Sequence, residues 1–167
     1  IDTEYLCKYK TILGQYKKDK EDSPINLHLY IKESIHKFNK KKAIVFCNTQ
    51  NNCRAIHKLL QKENTIKSFL LISDMEENKD SVLKNFENCN ERCVIVTCKM
   101  ISYGYDHDKI DMIIFADPSQ SEVHIQQALG RGLRLYKDGR DKILHVLLPV
   151  AVNDDKTYDR DDYKHIV

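Results

Sequence analysis

No stretch of the sequence approaches the roughly 20 apolar residues that a membrane-crossing helix needs, so a helical membrane protein is excluded. Glycine is scarce: Gly14, Gly104, Gly130, Gly132 and Gly139 are all that occur in 167 residues. None of them opens a GxxxxGKS or GxxxxGKT loop, and no Asp-Glu pair closes an apolar strand. The usual triphosphate cradle and magnesium-binding acid are therefore lacking, and the chain alone is not expected to hydrolyse a nucleotide. The six cysteines, Cys7, Cys47, Cys53, Cys89, Cys93 and Cys98, form no CxxC pair, and no His stands at zinc-finger spacing from two of them. No metal centre is expected. Cys47 and Cys93 fall inside apolar runs, where a free thiol acts as a small hydrophobe. Disulfides are not expected, and the pattern reads as a reducing, intracellular setting, whether cytoplasm, nucleus or a viral source. The first residue is Ile1 rather than Met, so a fragment or processed chain is expected, and the missing signal peptide says little about location.

The chain is 41% apolar and 31% charged, enough to bury one domain's core. Net charge is +2 but uneven. Residues 1–70 hold 14 Lys and Arg against 7 Asp and Glu, and the remainder holds 13 against 18. A basic front half suits nucleic acid and a solvated lysine face equally well.

Two helical segments are expected first. Tyr5, Tyr9, Ile12 and Leu13 recur at helical spacing, and a lysine-rich turn over 17–22 follows. Ser23-Pro24 reads as an N-cap with Pro at the first helical position, and Leu27, Ile31, Ile35 and Phe38 form one apolar stripe. From Ala43 the pattern changes. Apolar runs of strand length at 43–47, 69–72, 93–96, 112–115 and 143–148 alternate with helical patterns around Cys53–Leu60, Val82–Phe86 and Glu122–Leu129. That alternation specifies a mainly parallel sheet with helices on both faces. The expected divisions are a helical or linker segment over 1–42, an α/β domain over 43–152 and a charged tail over 153–167, with no internal repeat.

Open parallel sheets bind ligands beyond the carboxyl ends of their strands. The loops to read are therefore Asn48–Asn52, Ser73–Asn78, Thr97–Asp108 and Asp117–Ser121. The first enters a helix with short polar side chains beside free backbone N–H groups, which serves either as a phosphate site or as a plain helix cap. The most informative segment is Gln127-Ala128-Leu129-Gly130-Arg131-Gly132-Leu133-Arg134. On a helix, Gln127, Arg131 and Arg134 fall at i, i+4 and i+7 and share a face. Two guanidiniums and an amide there can stabilise the spread charge of a transferring phosphoryl group. Each of the two glycines costs a helix interior about 1 kcal/mol relative to Ala. They suit a close approach by backbone or ligand, or a fraying, basic helix end.

Taken together, the run from Ala43 to Arg134, about 55% of the chain, resembles the second RecA-like domain of superfamily 2 helicases. Ala43-Ile44-Val45-Phe46-Cys47-Asn48 looks like helicase motif IV, and Ser73-Asp74-Met75 with the helix ending at Phe86 is similar to the next family element. Val94 to Asp106 looks like motif V. Gln127 to Arg134 matches motif VI in the QxxGRxxR form of the DExH and type III restriction-enzyme branch. The resemblance implies a three-layer α/β/α RecA-like domain; the helices expected over 1–42 match no element of the family and read as a linker plus a packing helix. It implies the C-terminal motor half of an ATP-dependent helicase or translocase acting on RNA or DNA. Arg131 and Arg134 would be arginine fingers and Gln127 a sensor of the γ-phosphate or attacking water. Gly104 and Asp106 would lie against the nucleotide, and Asn48, Thr49, Ser73 and Thr97 or Ser102 would touch the nucleic-acid backbone. ATP would bind between this lobe and an N-terminal RecA-like lobe carrying the Mg2+ ligands; no membrane partner is implied. Two departures stand out: Thr97 is one residue further from Gly104 than usual, and Lys99 falls where many relatives have Asp. The rival readings are a helicase-like adaptor that has lost catalysis and an unrelated doubly wound nucleotide-binding domain.

Overall fold

The computed structural model describes residues 7–20, 23–98, 108–117, 138 and 140–153. In chain order the elements are β1 (Lys8–Lys17), α1 (Ile25–Lys37), β2 (Lys42–Phe46), α2 (Gln50–Gln61), β3 (Lys67–Leu71), α3 (Lys79–Asn88), β4 (Cys93–Thr97), β5 (Met112–Phe115) and β6 (Ile143–Val152). The six strands form one sheet in the order β1-β6-β5-β2-β4-β3, and every neighbouring pair is parallel.

The continuous apolar strands bury both of their faces, and alternate side chains feed two cores. Ile44, Phe46, Cys93, Ile95, Ile113 and Phe115 point to the side covered by Val82 and Phe86 of α3. Ala43, Val45, Val94, Val96, Met112 and Ile114 point to the side covered by Ile31 and Ile35 of α1 and Cys53, Ile56 and Leu60 of α2. Helices thus lie on both faces, as βαβ crossovers of one hand require. The alternation of strands and helices predicts this parallel sheet covered on both faces, and its RecA-like α/β form is the one that the resemblance implies.

The N-terminus corrects the expectation. The stretch read as a first helix is β1, which pairs in register with β6 from Lys8 opposite Ile143 to Lys17 opposite Val152. Ile12 and Tyr16 pack on the α1–α2 side, while Tyr9 and Leu13 remain exposed. A period of two from Ile12 through Gly14 to Tyr16 therefore prevails over the helical spacing of Tyr9, Ile12 and Leu13. The second expected helix is α1. Its N-terminus begins one residue later than expected, and Ser23 does not cap it. The Asp19 carboxylate does, accepting from the N–H groups of Asn26 at 2.7 Å and Leu27 at 3.4 Å. β6 also runs past its expected end at 148. His145 turns its N–H toward Asp111 on the β5 side, and Pro149 has the same parity. β5 pairing stops at Leu147, so the missing proline donor faces no ladder.

Candidate nucleotide and nucleic-acid face

With every strand parallel, the carboxyl ends of β2, β3, β4 and β5 open on one rim. The chain leaves β2 through α2 toward β3 on one side, whereas β5 precedes β6 on the other. Neighbouring β2 and β5 therefore send their chains apart, which leaves a crevice between them, the place where open α/β sheets take ligands.

Three strand ends meet at this crevice. Asp117, just past β5, accepts from the backbone N–H of Asn48, just past β2, at 2.5 Å. The same carboxylate lies 3.4 Å from Nδ2 of Asn52 through both oxygens. From β4, the Cys98 thiol donates to the Asn48 carbonyl at 3.2 Å. Asn48 is thus held on both its backbone groups by side chains from two other loops. Thr49 caps α2, its hydroxyl accepting from the Asn52 N–H at 3.2 Å. Gln50 donates Nε2 to the Ser73 hydroxyl at 2.7 Å, which ties the loop after β3 to the start of α2. Arg54 secures the same loop by donating to the Asp74 carbonyl at 2.8 Å.

The predicted site residues fall into two groups. Asn48, Thr49 and Ser73 lie on this rim; Thr49 and Ser73 are exposed and Asn48 is half-buried. Thr97 ends β4 beside them, opposite Phe46 and Leu71. It is 0% exposed, and its hydroxyl has no hydrogen-bond partner among the described residues. Ser102, Gly104, Asp106, Gln127, Arg131 and Arg134 lie outside the described residues, as does the helix expected at Glu122–Leu129. Sequence reasoning did not single out Asp117, Gln50 or Cys98. The available signal for Asp117 was a carboxylate directly after the apolar run of β5.

The electrostatics of the rim are quiet. The Cys47 thiol is held well above its usual range by its hydrogen bond to Cys53 and by burial, so it stays a neutral packing group. Tyr16 is pushed up to about 12 by burial, with Asp19 and Asp117 adding their negative charge. Among the described residues no three His, Cys, Asp or Glu side chains come together as metal ligands would. The rim carries backbone N–H, amide and hydroxyl groups beside the carboxylates of Asp117 and Asp74.

The chain is similar to known proteins in sequence and in fold. The chain is 29% identical over 125 residues to IRC3 of Saccharomyces cerevisiae, whose name describes an ATP-dependent helicase. That match covers 74% of this chain and 18% of IRC3, so the chain spans about a fifth of that relative's length. Among solved structures, the ATP-dependent Type ISP restriction-modification enzyme LlaBIII bound to DNA superposes with a TM-score of 0.69 at 18% identity, covering 96% of this chain and 13% of the enzyme. Dbp5 of S. cerevisiae, bound to RNA and ADP BeF3, superposes with a TM-score of 0.67 at 15% identity, covering 96% of this chain and 37% of Dbp5. At these identities the two structures speak for the fold alone. The family model for the helicase conserved C-terminal domain matches residues 26–136, from α1 through β5 and the Gln127–Arg134 segment, and the chain belongs to that family.

Proposed function

We propose that the chain is the C-terminal motor lobe of an ATP-dependent helicase or translocase that tracks an RNA or DNA backbone. In this reading Asn48, Thr49, Ser73 and Thr97 or Ser102 contact nucleic-acid phosphates. Gly104 and Asp106 lie against the nucleotide, Gln127 senses its γ-phosphate or the attacking water, and Arg131 and Arg134 reach that phosphate as arginine fingers. ATP binds between this lobe and a preceding RecA-like lobe of the same protein. The Mg2+ ligands are assigned to that other lobe, since the described donor set here does not fit a resident metal. When bound, the metal and ATP supply the phosphoryl-transfer chemistry; this chain supplies charge and position.

The observation that carries the reading is the clamp at the crevice, where Asp117 and Cys98 fix Asn48 and Gln50 holds Ser73. It supports a pre-set row of neutral donors for a sugar–phosphate chain. An RNA track and a DNA track are both compatible with it.

The test is the ATPase rate of the full-length parent with and without single-stranded RNA or DNA. Nucleic-acid-stimulated turnover by the parent, with none from residues 1–167 alone, is the expected result. Robust turnover by the purified 1–167 chain overturns the two-lobe assignment. A parent that binds nucleic acid without any turnover supports the adaptor reading instead.

A further inference from the structure

Among the described residues the sheet ends at β3 on one side, and a groove of about 490 Å³ opens along that edge between α2 and α3. Ser68, Phe69 and Leu70 of the strand line it, with Val82 of α3 and the carboxylates of Glu76 and Glu77. The backbone parity of β3 is set by Lys67, whose N–H donates to the Arg92 carbonyl at 2.9 Å. In a parallel ladder alternate residues turn both backbone groups to the same neighbour. Lys67, Phe69 and Leu71 therefore face β4, while the N–H and C=O groups of Ser68 and Leu70 face the groove. Such a row is a template for an added strand, and natural edges are commonly blunted by charged side chains, lysine above all, by proline, by a bulge or by a covering element. The β3 sequence KSFLL carries no proline, and its one charge is Lys67, whose ammonium sits over the Phe69 ring at 5.6 Å.

The charge of the groove opposes that of the chain. The whole chain carries +2, yet among the described residues no Lys or Arg lines this groove, and Glu76 and Glu77 are both exposed. Of the other polar liners, His57 is engaged through Nδ1 with the Ser68 hydroxyl at 2.8 Å. The two carboxylates repel a phosphate backbone and attract a cationic segment.

We propose that this groove docks an extended, basic segment of a partner protein, which joins β3 as a further strand. Ser68 and Leu70 would supply the main-chain hydrogen bonds, and lysines or arginines of the segment would meet Glu76 and Glu77. Strand addition of this kind draws affinity from the backbone and specificity from alternate side chains. The site lies at the sheet edge, and its occupancy does not depend on the motor reading.

The experiment titrates residues 1–167 with a capped octapeptide of alternating lysine and valine, following amide hydrogen exchange by NMR. The Ser68 and Leu70 amides should gain at least about tenfold protection, with the β4-facing amides of Lys67, Phe69 and Leu71 unchanged. Ser68→Pro should weaken binding at least about tenfold while keeping the sheet, because proline is tolerated where the lost donor points away from the ladder. If Ser68→Pro unfolds the chain, the surface double variant Glu76→Lys with Glu77→Lys decides the matter and should weaken binding by a similar factor. A matching glutamate–valine peptide should not bind. The proposal is overturned by unchanged Ser68 and Leu70 amides at saturating lysine–valine peptide, or by binding that the double variant does not weaken. It is also overturned if those amides are protected in the chain alone in proportion to its concentration, which marks self-pairing. A short RNA that displaces the peptide overturns it too, since the groove then serves nucleic acid.

Discussion

Asp117 accepts the backbone N–H of Asn48 at 2.5 Å, joining the end of β5 to the end of β2 across 69 residues of sequence. The same carboxylate also reaches the Asn52 side chain in the first turn of α2. A charged acceptor on a backbone donor is worth more than a neutral one. Its removal leaves a half-buried N–H to find water or go unpaired.

Asp117→Ala should therefore destabilise the chain by about 1–3 kcal/mol. Asp117→Asn should cost less, because the amide oxygen still accepts while the charge is gone. In the parent, both should weaken nucleic-acid affinity through the loss of a fixed Asn48–Thr49 turn. Urea unfolding and a salt-dependent binding titration check this. Wild-type stability and affinity in Asp117→Ala would show that the clamp holds nothing.

A second expectation concerns pH. Burial keeps the imidazoles of His57 and His145 below the usual 6.5. For a base whose folded-state value is depressed, the unfolded chain takes up protons first as pH falls through 6.5. Stability should then decline from about pH 6.5 down to the folded-state values, by at most about 1.4 kcal/mol per pH unit for each such histidine. Urea midpoints at about pH 7.5 and pH 5.5 measure it. His57→Gln should shrink the difference between them, since glutamine has no proton to gain. An unchanged difference in that variant would remove His57 from the explanation.

The parts of the fold that were legible in the sequence are those where burial on two faces forces a continuous apolar run. Strands β2, β4 and β5 read directly because Ala43–Phe46, Cys93–Val96 and Met112–Phe115 leave nothing exposed. β1 was not legible, because an edge strand buried on one face only leaves Tyr9 and Leu13 in water and so mimics a short helical stripe. At the site, the loops were located by topology, which follows from strand order alone. The clamp was not, because hydrogen bonds between Asp117, Asn48 and Cys98 join residues 50 or more positions apart and have no local signature. Gln127, Arg131 and Arg134 were read from spacing and resemblance, and they lie outside the described residues.

Gly14 carries a third prediction. A Cβ at this position would lie 1.3 Å from the Tyr30 hydroxyl and 2.5 Å from its Cζ. Tyr30 in turn stacks on Tyr16 with ring centroids 5.9 Å apart, so its ring cannot move without unstacking. Gly14→Ala should cost about 1–3 kcal/mol, the usual range for forced overpacking. In a Tyr30→Ala background the same change should be nearly silent, a non-additivity that marks direct contact. Equal costs in both backgrounds would mean that the strain lies in the β1 backbone and not against Tyr30.

The last prediction separates a motor from a scaffold and concerns Arg134. If its guanidinium meets the γ-phosphate only when two lobes close, its charge acts mainly on the transition state. Arg134→Ala in the full-length parent should then lower kcat by roughly 10³-fold or more, as arginine fingers do. KM for ATP should change far less, because little ground-state contact is lost. Arg134→Lys should rescue poorly, since an ammonium cannot reproduce the planar fork. Thermal unfolding should be nearly unchanged, because a side chain directed at a second lobe contributes little to this lobe's core. A solvated basic helix end predicts near-normal turnover in both variants. Full kcat in Arg134→Ala combined with its loss in Arg131→Ala would move the finger to Arg131. Full kcat in both single variants would sink the motor reading, because the Gln127–Arg134 segment would then have no phosphate to meet.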